Sequence, residues 1–146
     1  VNLKLLCSIV LCFAAAAQDE PWKPAEMVTA GKMAEELKTP DAARHILYVG
    51  FPILYKGAHI KDAGFAGPCS KPDGLDLLAA SLKDVPLDAE VVIYCGCCPF
   101  ARCPNIRPAY RRLKEMGYTN IKVLDLPTNL HTDWVEKGYP TETQTK

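Results

Sequence analysis

The chain carries no net charge at neutral pH: its 146 residues hold 17 lysines and arginines against 17 aspartates and glutamates. Without a cationic excess there is no electrostatic footprint for a polyphosphate partner, which argues against nucleic-acid binding. Long apolar runs are also missing. The longest, Leu5–Ala16, falls short of the roughly 20 apolar residues that a spanning helix requires. Histidine is scarce, with only His45, His59 and His131, and no C-x-x-C-H sequence offers a site for c-type haem attachment. There is neither an internal repeat nor a low-complexity tract.

What is present begins with Lys4, the apolar run, small residues at Ala14–Ala17 and then polar Gln18-Asp19-Glu20. That is the order of a secretory signal peptide. The expected organisation is a signal over residues 1–17, a polar, proline-bearing tether over 18–24 and one domain over 25–146. The mature protein would be periplasmic or secreted, without a membrane span, and a monomer. Losing residues 1–17 removes one of the 17 cations, Lys4, which leaves 16 basic against 17 acidic side chains. Two of the seven cysteines, Cys7 and Cys12, fall in the signal and are set aside. A domain of this size can bury a core without staples, so Cys69, Cys95, Cys97, Cys98 and Cys103 need another explanation.

Periodicity gives a coarse layout. Thr29 is a plausible N-cap for a helix carrying Ala30, Met33, Ala34 and Leu37 on one face, ended by Pro40. His45–Val49, Val91–Tyr94 and Ile121–Leu124 are continuous apolar runs, the pattern of strands buried on both faces. Leu75, Leu78, Ala79 and Leu82 recur at helical spacing, as do Ile106, Ala109, Tyr110 and Leu113. His131–Lys137 could close the chain as a short helix. Strands alternating with helices predict an α/β domain, with a central parallel sheet covered by helices on both faces.

The chemistry is concentrated in Cys95-Gly96-Cys97-Cys98-Pro99-Phe100-Ala101-Arg102-Cys103. A cysteine where a buried strand gives way to a helix meets loop amides and the positive end of the helix, and both favour thiolate. Arg102, and Arg107 beyond it, would add a planar fork of donors for an oxyanion. Thiolate, amides and arginine together suit attack on the sulfane sulfur of a small anionic donor, with a cysteine persulfide as the covalent intermediate and a thiol as acceptor. No cofactor is implied.

Five segments occur in the order found in the rhodanese (sulfurtransferase) family. Met27–Leu37 looks like its first strand and helix. Tyr55-Lys-Gly-Ala-His-Ile-Lys-Asp-Ala63 resembles its GHIPGA motif, and Val91–Cys95 resembles the strand ending in its nucleophile. Leu113–Ile121 and Trp134–Pro140 resemble the segments that follow. The resemblance covers nearly all of the expected mature chain and implies a rhodanese-like fold with sulfurtransferase activity. Three features depart from the family. The first buried strand ends in Tyr48-Val49-Gly50 where the family has Asp-Val-Arg, Pro127-Thr128-Asn129 stand where a glycine pair is usual, and the cysteine loop is longer.

Two nucleophile assignments compete. Strand register selects Cys95, whereas the family's Cys-x4-Arg spacing selects Cys97 with Arg102. Register is preferred, because strand ends shift less easily than loops. Gly96, Cys98, Phe100, Ala101 and Arg107 are expected around the substrate, and Cys69 and Cys103 are candidates for resolving or disulfide cysteines. Three rival readings use the same thiols. They could form structural disulfides in an oxidising compartment, or exchange disulfides through Cys95-Gly96-Cys97-Cys98. A zinc or copper(I) site is the third, although the spacing is tighter than paired zinc knuckles and no metal ligand is assigned. His59 is expected to bond backbone, and Asp125 either to face the loop or to cap its strand.

Overall fold

Strand order places the central cysteine loop at the middle of the sheet. The computed structural model describes residues 20–144, so the expected signal over 1–17 lies outside the described residues. The elements run β1 (Met27–Thr29), α1 (Ala30–Glu36), β2 (Arg44–Tyr48), α2 (Pro52–Gly57), β3 (His59–Ile60), β4 (Gly64–Phe65) and α3 (Pro72–Ser81). They continue with β5 (Glu90–Tyr94), α4 (Ile106–Glu115), β6 (Ile121–Asp125) and β7 (Thr141–Glu142). A five-stranded sheet has the order β1-β6-β5-β2-β4, and every pairing in it is parallel. The three predicted strands are its three central members. β3 and β7 form a separate antiparallel pair.

Alternation along each strand divides the core into two layers. Leu47, Val91, Ile93, Ile121 and Val123 point to one side, where Leu78 of α3 and Ile106, Ala109, Tyr110 and Leu113 of α4 cover them. Ile46, Tyr48, Val92, Tyr94 and Leu124 point to the other, under Met33 and Ala34 of α1 and Trp134. Helices therefore lie on both faces, as a parallel sheet demands. The Thr29 hydroxyl accepts a hydrogen bond from the Lys32 amide at 3.4 Å, the cap expected for α1. The predicted closing helix is a single wide turn, His131–Val135. No helix among the described residues is long and apolar enough to cross a membrane.

The tether expected over 18–24 needs correction at its described end. Trp22 is only 5% exposed and packs against Phe100 and Tyr110, with ring centroids 5.4 and 5.7 Å away. The Arg107 guanidinium covers its ring at 5.5 Å and pairs with Glu20. A lone tryptophan in a polar segment carries no periodicity, so its burial was not readable from pattern.

Candidate active site

β5 ends at Tyr94, and the next residue, Cys95, turns into the core with its thiol buried. Gly96 takes φ +72°, a left-handed conformation that glycine adopts without strain. A Cβ there would also lie 2.6 Å from the Leu130 Cβ. The turn is tied across to the segment after β6 twice: the Leu130 amide donates to the Gly96 carbonyl at 3.0 Å, and the Phe100 amide donates to the Leu126 carbonyl at 3.2 Å.

These ties bring four thiols together. The Sγ atoms of Cys95 and Cys97 are 3.1 Å apart, and those of Cys97 and Cys98 are 3.3 Å apart. Cys95, Cys97 and Cys103 have sulfurs all within 4.8 Å of one another. Hydrogen bonds from Cys103 and Cys95 hold the half-buried Cys97 thiol far below the ordinary thiol range. Its neighbours move the other way. Hydrogen bonding with Cys103 and Cys97, reinforced by burial, raises Cys95, and burial pushes Cys98 up to about 12. Among the three mutually close sulfurs, Cys97 is thus the one whose thiolate the cluster favours.

Asn105, fully buried at 0% exposure, fixes the far side of the cluster. Its Nδ2 donates to Cys95 Sγ at 3.4 Å, and its Oδ1 accepts from the Ser70 amide at 2.9 Å. Cys103 is raised overall: hydrogen bonding with Cys95 and the backbone N–H groups of Asn105 and Ile106 lower it, but hydrogen bonding with Cys97 and burial outweigh them. The sequence offered no motif for Asn105, whose place just before an apolar-periodic helix is that of an ordinary N-cap, a bond its side chain does not make here. Gly50, where the family's arginine would fall, is a point of close approach. A Cβ there would lie 2.7 Å from Cys95 Sγ and 2.6 Å from the Tyr48 hydroxyl. That hydroxyl is itself buried with no hydrogen-bond partner among the described residues.

A cleft of about 540 Å³ opens beside the cluster, lined by Cys95, Gly96 and Cys97 on one side and by Ile53, Leu54, Leu130 and Val135 on others. Asn129 and His131 supply its polar rim, and among the described residues no lysine or arginine lines it. His131 had no partner in sequence; here it pairs with Glu136 at 3.2 Å and borders the cleft.

Several expected site residues stand elsewhere. Arg102 is exposed on the one-turn helix Phe100–Arg102 and lines neither this cleft nor the tighter crevice bounded by Cys95, Cys98 and Cys103. Arg107 is engaged by Glu20, Trp22 and the Ala101 carbonyl. Phe100 is core, beneath Trp22, and Ala101 is exposed. His59 bonds the Tyr55 carbonyl through Nδ1 at 2.8 Å and stacks on the Tyr55 ring, as expected of a structural histidine. Asp125 borders a different hollow, with Thr29 and Asp133.

All five described cysteines are free thiols. Cys69 shares the core layer of the loop, but its thiol donates to the Ala66 carbonyl at 3.1 Å instead of joining the cluster. Burial pushes it up to about 12. A raised thiol pKa means neutral sulfur at physiological pH, and neutral sulfur is a poor nucleophile. In native protein at pH 8, Cys69 should therefore resist iodoacetamide while at least one loop cysteine reacts, and it should become labelled only on denaturation. Peptide mapping checks this; fast native labelling of Cys69 would contradict it.

A parallel α/β sheet whose central strand delivers a thiol-bearing turn to a helix N-terminus defines the class of domain. The particular fold is rhodanese-like, and its solved relatives agree. The rhodanese-like domain of the Alr3790 protein from Anabaena sp. is 21% identical, with a TM-score of 0.59 over 81% of this chain and 79% of that one. The BH2092 protein from Bacillus halodurans is 15% identical, with a TM-score of 0.63 over 81% and 77%. EanB, solved as a cysteine persulfide with ergothioneine, is 22% identical at a TM-score of 0.61, over 80% of this chain and 28% of EanB. The sequence matches no protein-family model and no curated protein.

Proposed function

We propose that the protein is an exported sulfur carrier of the sulfurtransferase type, with Cys97 as the nucleophile. One observation carries this reading: the Cys97 sulfur touches two other thiols and borders the 540 Å³ cleft. Neighbouring thiols that donate hydrogen bonds stabilise a thiolate without a nearby cation. Cys95 meets the register expectation for the strand end but is buried, and it serves as a donor to Cys97.

In the first half-reaction the Cys97 thiolate attacks the outer sulfur of a sulfane donor. The new Cys97–sulfur bond forms as the donor's sulfur–sulfur bond breaks. The electron pair leaves with the donor's remainder: sulfite from thiosulfate, or a thiolate from an organic persulfide. In the second, an acceptor thiolate attacks the outer sulfur of the persulfide and returns Cys97 as thiolate. That EanB is captured as a cysteine persulfide on this fold supports the intermediate.

The lining bears on the donor. With Ile53, Leu54, Leu130 and Val135 around the thiol and no lysine or arginine among the described residues that line it, desolvating a dianion has little compensation. A donor with an apolar body should load Cys97 faster than thiosulfate. The test is intact-mass analysis of reduced protein after incubation with an alkyl persulfide or with thiosulfate, with peptide mapping of the added sulfur. Added sulfur on Cys97 supports the reading; no adduct from either donor refutes it. The 3.1 Å contact between Cys95 and Cys97 favours a second reading, disulfide exchange, which would appear as the loss of two hydrogens instead of a gain of sulfur.

A further inference from the structure

The same cluster has the form of a metal site, and this inference does not depend on sulfur transfer. Three sulfurs bound to one ion at about 2.3 Å each, in a plane, stand roughly 4 Å apart. Cys95, Cys97 and Cys103 have sulfurs within 4.8 Å of one another. No histidine or carboxylate belongs to this set, and an all-sulfur set selects soft ions. The number of donors narrows the choice. Structural zinc takes four ligands in a tetrahedron. The fourth thiol, Cys98, touches Cys97 at 3.3 Å yet stands outside the group whose sulfurs are all mutually close.

The surroundings also suit an ion. The Asn105 amide holds Cys95 in place while it is anchored to Ser70. Such outer contacts orient ligands and offset the negative charge of several thiolates. Cys95 and Cys97 line the open cleft, which supplies an entry path, and Cys103 closes the site from inside. A plausible site needs ligands, near-correct distances, an outer shell and an entry route; each is present.

We propose that Cys95, Cys97 and Cys103 bind one univalent copper ion as a three-coordinate thiolate site. Binding takes Cys97 as thiolate, releases the two thiol protons of Cys95 and Cys103, forms three copper–sulfur bonds and changes no oxidation state. Because Cys97 is shared, copper occupancy and sulfur loading exclude each other.

The test is anaerobic titration of fully reduced protein with copper(I) held by a chromophoric competitor, followed by X-ray absorption at the copper edge. One ion per chain with three sulfur neighbours is expected. Cys97→Ser and Cys103→Ser should each weaken binding by more than ~100-fold, beyond what loss of an outer-shell contact costs; Cys69→Ser should leave it unchanged. Cys97 is only half-buried, so its variant reports on the site even where Cys103→Ser disturbs folding. Failure to withdraw copper from the competitor, or unchanged affinity in Cys97→Ser, overturns the proposal. So does a Cys98→Ser loss as large as the other two, or a preference for zinc, since either means a four-sulfur site. A protein that binds copper but forms no persulfide would refute sulfur carriage and leave this proposal standing.

Discussion

Cys97→Ser should slow persulfide formation by roughly 10³-fold or more, the scale on which removing a nucleophile acts, and Cys95→Ser should leave substantial rate. The asymmetry follows from position. Both residues border the cleft, but Cys97 is half-buried whereas Cys95 is only 2% exposed and contributes a hydrogen bond to the Cys97 sulfur. A serine at 95 keeps a hydroxyl donor close to that place, so the cost should be nearer tenfold, about the 1.4 kcal/mol of one modest hydrogen bond. Single-turnover loading from an alkyl persulfide, read by mass, separates the two variants. If Cys95→Ser is the dead variant and Cys97→Ser still loads, the strand-end residue is the nucleophile and the present assignment is reversed.

Trp22→Ala should destabilise the domain by about 3 kcal/mol, the lower end of the ~3–5 kcal/mol typical of tryptophan truncation in a core. The ring fills the space between Phe100 and Tyr110 and carries the Arg107 guanidinium on its face. The lower end applies because its Nε1 is buried without a hydrogen-bond partner among the described residues, so truncation also removes an unpaired donor. By the same argument Trp22→Phe should cost clearly less. Urea denaturation of both variants checks this, and a Trp22→Ala protein as stable as wild type would mean that the segment before β1 is dispensable. Phe100 sits in the cysteine turn, so the alanine variant should also loosen the turn and raise the alkylation rate of its thiols.

The sheet was legible because its central strands carry adjacent apolar residues, Ile46–Val49, Val91–Tyr94 and Val123-Leu124, a pattern of burial on both faces. His45–Val49, Val91–Tyr94 and Ile121–Leu124 were each placed to within one residue at either end. The thiol turn was legible as a place but not as a geometry. Spacing coupled Cys97 to Arg102, yet the turn is shaped by bonds to Leu126 and Leu130, 26 or more residues further on, which local pattern does not encode. Those bonds leave Arg102 exposed and gather the sulfurs instead. Asn105 was missed for the opposite reason. An asparagine before a helix has an ordinary local role, and here its side chain turns inward to join Ser70 to Cys95.

Gly50 has a consequence for how such a chain can change over time. The Cys95 sulfur and the Tyr48 hydroxyl occupy the volume into which any side chain at position 50 would grow, so a larger residue there must displace the thiol cluster. Conversely, moving the cluster would leave a void beside a bare backbone. Residue 50 and the thiol turn are therefore interlocked: even one added methyl at Gly50 must shift the Cys95 sulfur and the Tyr48 ring, so the position at the end of this strand and the sulfur-rich turn cannot be altered independently.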